Sequence, residues 1–299
     1  MMHYMKRIIL AHLVFMCTLG TWGQERAGLF DISHSVDWIR SEMTVQAGYN
    51  LILAGIKLPA GRTMAEDTLA EAYPALLRPC LLPIQVDSAS TIQSLVERGE
   101  LSLEEIDAIS RSAAKIPVSI TQDFSRMVGR YNISLGSLGT LLTRHRAAKE
   151  PERPLTGAPA PNYTSIIIIA DEELSVHGRN TKALTVPCLF PKIWDSDMNL
   201  VYERSMNDPA TKSLMVRYDV RESIFRPTPS GLDGELAAFA GSYPLRLLAR
   251  EVFGIAPTDL VIDRDDALKI LSNENNRRLL REGRVIFVLN TEALAGTGR

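Results

Sequence analysis

The sequence predicts an α+β fold, in which mixed sheets pack with helices and two lobes are joined by a proline-rich linker. Short β-tolerant runs alternate with segments of helical periodicity along the chain. Four consecutive isoleucines within Thr164–Ala170 suit a strand buried on both faces. Between 147 and 162, prolines and charged residues without periodicity predict an extended connection.

The N-terminus has the pattern of an export leader. Lys6 and Arg7 form a positive start, and an apolar run over 8–19 follows, which is shorter than the roughly 20 residues of a spanning helix. Thr21 and Gly23 suit the small-residue positions of a cleavage site. We therefore expect a signal peptide over 1–23 and a periplasmic mature chain; the alternative is a buried N-terminal helix.

Cys17 raises the alternative of a lipidated N-terminus. Lipoprotein processing needs a small residue just before the cysteine, whereas Phe15 and Met16 are bulky. Cleavage after Gly23 is therefore the preferred interpretation. Once the leader is removed, Cys80 and Cys188 permit one disulfide and require none.

The N-terminal region, 24–146, mixes strand and helix signals. Met43–Leu58 predicts a long strand or hairpin. Thr63 with Glu66, and Ser102 with Glu105, are capping-box spacings that predict helix starts. Pro79 and Pro117 are expected to help end these two helices. A third short helix is predicted over Asp123–Tyr131.

The C-terminal domain, 163–290, is expected to begin with the isoleucine strand. The further strands predicted are Ala183–Phe190 with an edge or bulge at Pro187, Leu200–Glu203, Leu214–Tyr218 and Val285–Leu289. One helix is predicted from Tyr243-Pro244 to Gly254, and another from its cap at Asp263 to Gly283. Residues 291–299 are expected to form a flexible tail.

The composition limits the classes of function. Of the 299 residues, 45% are hydrophobic and 23% are charged, which is ordinary for a globular chain. There are 33 Lys and Arg against 35 Asp and Glu. Because nucleic-acid binding would need a basic stripe, we expect no nucleic-acid partner.

Motifs for cofactors, nucleophiles and metals are missing from the sequence. It has no phosphate-binding loop and no Gly-x-Ser-x-Gly elbow. His34, His145 and His177 are too far apart to form a metal-binding pair on one helix. Asp195, Asp197 and Asn199 alternate like calcium ligands, but the EF-hand glycine and glutamate are absent, so a turn is the preferred interpretation. We predict no catalytic, cofactor or metal site.

One acidic group stays open as an alternative site. Asp171, Glu172 and Glu173 follow the isoleucine strand, at the kind of position where an α/β enzyme can place an acid. With His177 they would form the site of a periplasmic enzyme or glycan-binding module. A solvated turn is the preferred interpretation, because no nucleophile or perturbed partner is evident beside them.

The C-terminal segments resemble a known family. They are Tyr163–Ala170 followed by Asp171, Ala183-Leu184-Thr185-Val186-Pro187, Pro191–Asp195, Tyr202, and the stretches 244–267 and 283–289. Over 162–290 they are similar to the small outer-membrane lipoprotein family that includes the flagellar basal-disk protein FlgP. Two departures are the poor lipid-attachment site and the greater length of this chain.

The resemblance implies structural work in the envelope. Flagellar members of that family form rings or disks around the motor in the periplasm. We therefore expect a non-catalytic envelope protein that forms homo-oligomers, contacts envelope or flagellar basal-body proteins, and associates peripherally with the outer membrane. An exposed strand edge, such as the one at Pro187, would support subunit contacts.

Overall fold

Helices and strands alternate along the chain in the computed structural model, which confirms the predicted α+β class. The structure describes residues 28–154, 157, 159–211, 214–225 and 234–294. The predicted leader over 1–23, with Cys17, lies outside the described residues. Within the described part of the chain, none of the helices combines the length and the apolar character that crossing a membrane requires.

The chain divides into two compact units. The first comprises the described part of Met1–Ser33 with Val45–Leu76 and Lys115–Tyr131; the second comprises His34–Thr44, Leu77–Ala114 and the described part of Asn132–Arg299. The predicted linker segment 147–162 falls in the second unit. There the N–H of Lys149 donates to the carbonyl oxygen of Ser205 (2.7 Å), and Glu150 pairs with Arg281. The expectation that this segment separates two lobes stays a prediction.

The elements before this segment form one larger sheet, one small hairpin and the helices between them. In chain order they are β1 (Phe30–Asp37), β2 (Glu42–Asn50), α1 (Arg62–Leu81), β3 (Gln85–Asp87), β4 (Ser90–Thr91), α2 (Ile92–Glu97), α3 (Leu103–Ser112), β5 (Ala114–Ile120), β6 (Arg126–Ser134) and α4 (Leu135–Leu142). The four-stranded sheet has the order β1-β2-β6-β5, so that β1 and β5 are its edges. β3 and β4 form the separate antiparallel hairpin.

Local sequence signals place the helix starts. Ser102 accepts a hydrogen bond from the N–H of Glu105, and the Glu105 carboxylate accepts one from the N–H of Ser102, so the predicted capping box is confirmed. α1 begins at Arg62, next to the predicted start at Thr63. The Glu66 carboxylate, which was expected to take part in a capping box with Thr63, accepts a hydrogen bond from the guanidinium of Arg62 (2.8 Å). A second capping box, between Thr91 and Ser94, opens α2.

Three predictions in this half are wrong. Asp123–Tyr131 does not form a helix: its second part lies in β6, where burial alternates along the strand, as a period of two requires. α1 runs through Pro79 to Leu81. The helix that was expected to reach Pro117 ends at Ser112, and Pro117 lies in the edge strand β5, a position that tolerates a residue without an N–H.

The elements after the proline-rich segment are mostly short strands. They are β7 (Ile166–Ala170), β8 (Leu174–Val176), β9 (Lys182–Ala183), β10 (Ile193–Asp195), β11 (Leu200–Tyr202), β12 (Arg217–Asp219), α5 (Arg221–Phe225), α6 (Gly234–Ala240), β13 (Leu245–Leu248), β14 (Glu251–Phe253), β15 (Asp259–Ile262), α7 (Arg264–Leu271), α8 (Glu274–Arg281), β16 (Val285–Leu289) and α9 (Thr291–Leu294).

A parallel four-stranded sheet, in the order β12-β16-β7-β13, is built around the isoleucine strand. All five residues of β7 and all five of β16 are buried, which confirms both predicted strands. Burying each isoleucine contributes roughly 1.5–3 kcal/mol. On one face, Ile167 and Ile169 pack in a cluster with Ile224 of α5 and Leu236 of α6.

A mixed sheet, in the order β11-β10-β15-β14-β8-β9, forms the other part of this region. β14 runs antiparallel to β15 and parallel to β8. The β3–β4 hairpin contacts this region, because the N–H groups of Leu189 and Phe190 donate to the carbonyl oxygens of Gln85 and Val86 (3.1 and 2.8 Å).

The helix predicted from Tyr243 to Gly254 is wrong. Leu245–Leu248 forms β13, with Leu245 and Leu247 buried and Leu248 exposed, and Glu251–Phe253 forms β14. The buried strand β7 needs a hydrogen-bonding neighbour on each side, and β13 supplies one of them. This tertiary demand outweighs the helix-like spacing of the leucines.

Other boundaries differ from the predictions. Of the predicted Ala183–Phe190 strand, only Ala183 lies in a strand, at the end of β9. Pro187 lacks an N–H, and the N–H groups of Val186, Leu189 and Phe190 donate to the carbonyl oxygens of Pro257, Gln85 and Val86. β12 covers only the end of the predicted Leu214–Tyr218 strand. The last predicted helix is split into α7 and α8, since Asn273 caps a new start. In the predicted tail, Thr291–Leu294 is helical and Leu294 is buried.

Candidate functional site

The acidic group predicted as an alternative site begins at the carboxyl end of β7. Asp171 follows the strand directly, and Arg221 donates to both of its carboxylate oxygens, with 2.7 Å between Nη2 and Oδ1. This bonding to Arg221 holds the pKa of Asp171 below its usual range. An acid held in its ionised form does not donate a proton readily near neutral pH.

The neighbouring carboxylates are exposed. Glu172 has a side chain that is 82% exposed and lies 3.8 Å from Arg221 as a weak outer ion pair. Glu173 is exposed as well. The two residues therefore occupy a solvated turn, which was the preferred interpretation of the sequence.

The same end of the parallel sheet holds two polar residues that were not anticipated. Asp219 ends β12 and is buried, at 3% exposure. Asn290 follows β16 and donates to the backbone carbonyl of Asp171 (3.2 Å). Carboxyl ends of parallel strands meet at one edge of a sheet, so a polar residue following an apolar strand was the available signal.

His177 directly follows β8, a strand of the mixed sheet. Its Nδ1 is 2.6 Å from Glu251 Oε2, and since an ionised carboxylate only accepts, Nδ1–H is the donor. Its ring packs edge-on against Phe253, at 6.0 Å between centroids. Asp171 and His177 thus follow strands of different sheets, and they have different partners, Arg221 of α5 and Glu251 of β14. These contacts therefore do not bring Asp171–Glu173 and His177 together into the single site that the alternative prediction required.

A cleft of about 280 Å³ opens beside His177. It is lined by Ser88, Ala89, His177, Arg179, Phe253, Gly254 and Ile255. The surface is mainly apolar, and Ile255 is 75% exposed. We call this group of residues the His177 cleft.

A tight turn fixes the wall of the His177 cleft. Gly254 has φ +120°, and a Cβ there would lie 2.4 Å from the Cβ of Ser88 and 2.5 Å from the carbonyl oxygen of Ala256. Only glycine fits that space and that conformation. The N–H of Ala256 also donates to the carbonyl oxygen of Ser88 (2.9 Å).

Beneath the His177 cleft lies a buried carboxylate, Asp259, in β15. It is fully buried and accepts hydrogen bonds from the Ser88 hydroxyl, the Lys192 N–H, the Trp194 indole N–H and the Thr258 hydroxyl, at 2.9–3.3 Å. Burial raises the pKa of Asp259 despite these bonds. An aspartate opening the apolar strand DLVI was the sequence signal for this network, and it was missed.

The residues weighed as metal ligands in the sequence make other contacts in the structure. The Asp195 carboxylate accepts from the N–H of Asp197, the N–H of Asn199 and the Asn199 side chain at 2.7–3.0 Å, which stabilises the β10–β11 turn. His145 Nε2 lies 2.9 Å from the carbonyl oxygen of Asn207. Among the described residues, no group of three or more His, Cys, Asp and Glu side chains could hold a metal ion.

Cys80 and Cys188 are both buried, and the structure gives each as a thiol outside a disulfide. Burial raises the pKa of the Cys80 thiol to about 11 and that of Cys188 further above its ordinary value. Neither thiol is ionised near neutral pH, so both act as small apolar groups.

Two successive parts of the chain match models of one spirochete protein. Residues 30–141 match the family model described as the N-terminal domain of Treponema pallidum Tp0624, and residues 165–291 match the model of its second domain. The interval between the matches contains the proline-rich segment 147–162. No curated protein matches the chain.

Proposed function

We propose that this chain is an exported, non-catalytic component of a bacterial cell envelope, with a structural or assembly role. The leader pattern over 1–23 supports export, and the matched family models come from a bacterial protein. The resemblance of 162–290 to small outer-membrane lipoproteins supports the finer proposal, an association with the periplasmic flagellar motor or the outer membrane.

One observation carries the non-catalytic part of the proposal: both carboxylate oxygens of Asp171, at the end of β7, accept hydrogen bonds from Arg221. A general acid or base must be able to exchange its proton near the working pH. Asp171 is instead held ionised by two hydrogen bonds from one guanidinium. This arrangement favours a structural ion pair over acid/base chemistry in the group Asp171–Glu173.

The edge strand β1 is the surface best suited to assembly. It lies at one edge of its sheet, and most of its residues are exposed, including Ile32 at 36%. Its sequence, FDISHSVD, contains neither the proline nor the lysine that protects many edge strands. The opposite edge, β5, carries both, as Lys115 and Pro117. Strand addition at β1 is thus the proposed route to a homo-oligomer.

Two matched variants test the assembly role. Ile32→Lys places a charge on the edge strand β1, and Ile116→Lys places one on β5, where the native isoleucine is 40% exposed. We expect chemical crosslinking of the purified protein to give homo-oligomers for the native chain and for Ile116→Lys, and chiefly monomers for Ile32→Lys. A native chain that stays monomeric at high concentration would contradict the assembly role.

A pull-down from the native envelope tests the location and the partners. The chain is crosslinked in intact cells and recovered, and the length of its N-terminus is measured by mass spectrometry. Cleavage after Gly23 with recovery of envelope proteins supports the proposal, and basal-body proteins among them support its finer form. An intact leader with only cytoplasmic partners contradicts it.

A further inference from the structure

We propose that the His177 cleft binds the apolar carboxyl-terminal residue of a peptide. This binding site goes beyond the envelope role proposed above and does not depend on it. The proposal rests on four features that occur together in the second unit: a concave surface, a guanidinium without an ion-pair partner among the described residues, an oriented ring nitrogen and an exposed isoleucine.

The size and lining of the His177 cleft set the class of ligand. Its volume of about 280 Å³ is just below the usual range for small-molecule sites, so one residue of a chain suits it better than a large cofactor. Phe253 and Ile255 provide the apolar contact, and Ile255 leaves 75% of its surface exposed. An aliphatic side chain of the ligand would cover this surface and remove it from water.

Arg179 supplies the charge for a carboxylate. It lies in the exposed turn after β8, next to Gly178 with φ +73°. Its side chain forms no ion pair with any residue that the structure describes, whereas Arg221 and Arg250 are paired with Asp171 and Asp263. A guanidinium can hold both oxygens of a terminal carboxylate.

His177 adds a reason to prefer a peptide over a simple fatty acid. Since Nδ1–H donates to Glu251, Nε2 of the neutral ring carries the lone pair and accepts hydrogen bonds. The amide N–H of a terminal residue is a suitable donor for it. A fatty acid has the carboxylate and the apolar chain but lacks this donor.

The floor of the His177 cleft is held in place before any ligand arrives. Ser88 is bonded through its hydroxyl to Asp259 and through its carbonyl oxygen to the N–H of Ala256 (both 2.9 Å). The Trp194 indole also donates to Asp259, and its ring contacts Phe253 edge-on at 5.8 Å between centroids. A preorganised surface loses little entropy on binding. Because Trp194 contacts Phe253, which lines the His177 cleft, its indole signal can report ligand binding.

The probe for the test is N-acetyl-leucine. Its binding is measured by NMR of the full chain labelled with ¹⁵N-tryptophan. We expect a saturable shift of the Trp194 indole signal, assigned with Trp194→Phe, while Trp38, which packs on Tyr218, stays unchanged. N-acetyl-leucinamide, which lacks the carboxylate, and hexanoate, which lacks the amide, should each bind at least tenfold more weakly.

Variants identify the groups responsible. Arg179→Gln should weaken binding of N-acetyl-leucine at least tenfold, and Ile255→Ser several-fold. The matched control Arg246→Gln, at an exposed position on β13, should leave the affinity within twofold. The unshifted Trp38 signal verifies that each variant is folded. Absence of a saturable Trp194 shift, equal binding of the amide or hexanoate, or native affinity in Arg179→Gln would overturn the proposal.

Discussion

Asp171 and Asp259 are both aspartates at the end of an apolar strand, yet their surroundings have opposite effects. Asp171 follows β7 of the parallel sheet and meets the partly exposed guanidinium of Arg221, which lowers its pKa. Asp259 opens β15 of the mixed sheet and meets only neutral donors in a buried position, which raises its pKa. A charged partner at the surface favours ionisation, whereas burial among neutral groups opposes it.

The difference also separates the structural roles of the two sheets. Around Asp171 the fold is held by a row of buried isoleucines, and the ion pair lies at its rim. Around Asp259 the strands are only three or four residues long, and the carboxylate links the β3–β4 hairpin to β10 and β15 through Ser88 and Trp194. We therefore expect polar substitutions to matter far more in the mixed sheet.

The largest effect is expected for Asp259→Ala. This change leaves the Ser88 hydroxyl, the Lys192 N–H and the Trp194 indole N–H without their acceptor in a buried place. Each buried unsatisfied group costs about 1–3 kcal/mol, so we expect a loss of about 3 kcal/mol or more in the free energy of unfolding. Urea denaturation followed by circular dichroism measures it, and Asp265→Ala, at an exposed position on α7, is the control.

The pH dependence of Asp259 has a definite sign. Because its folded pKa lies above the unfolded value, the native state binds the proton more tightly, and stability falls as pH rises through the raised pKa. The native chain should therefore lose stability relative to Asp259→Asn on going upward from about pH 4, the ordinary range of an aspartate. If the difference in the free energy of unfolding between the native chain and Asp259→Asn stayed constant across that window, burial would not be raising the pKa of Asp259.

A smaller but clear effect is expected at Gly254. Gly254→Ala would place an alanine at φ +120°, and its Cβ would lie 2.4 Å from the Cβ of Ser88. We expect a loss of about 2 kcal/mol or more, since left-handed strain alone costs roughly 1–2 kcal/mol. Gly178→Ala is the matched control, because its φ is +73° and a Cβ would meet nothing within 4 Å. Equal losses in the two variants, measured by thermal unfolding, would mean that the contact with Ser88 is unimportant.

The smallest effect is expected for Asp171→Asn. An ion pair with one partner 47% exposed contributes roughly 1 kcal/mol or less at neutral pH. Since the folded pKa of Asp171 is lowered, its contribution is present above the unfolded value and is lost as pH falls through the folded value. Denaturation curves of both proteins should therefore converge in acid. A loss as large as that of Asp259→Ala would remove the contrast between the two sheets.

The two Tp0624 domain models match 30–141 and 165–291, and the segment 147–162 lies in the interval between the matches. A division into two lobes at that segment stays a prediction. The two compact units do not coincide with the two matched segments. The second unit contains the second matched segment and also the β3–β4 hairpin, which lies in the first matched segment. Backbone hydrogen bonds from Leu189 and Phe190 to that hairpin join the two matched segments. Such long-range pairing leaves no periodic signal in the sequence.

Elements with a local signal could be predicted from the sequence alone. β7 and β16 were predicted because a strand buried on both faces must be continuously apolar, and α3 because its capping box lies within four residues. The Asp195 turn and the solvated Glu172 and Glu173 were predicted for the same reason. These features depend on neighbours in the chain.

Other features depend on contacts between residues that are far apart in the chain. Leu245–Leu248 became a strand because β7 needed a neighbour, and Asp259 became a buried hydrogen-bond centre because Ser88, which is 171 positions away, lies beside it. The partner of Asp171 was likewise set by the fold, which brings Arg221 to the end of β7. Burial, partner choice and pKa arise from groups distant in sequence, and no local pattern encodes them.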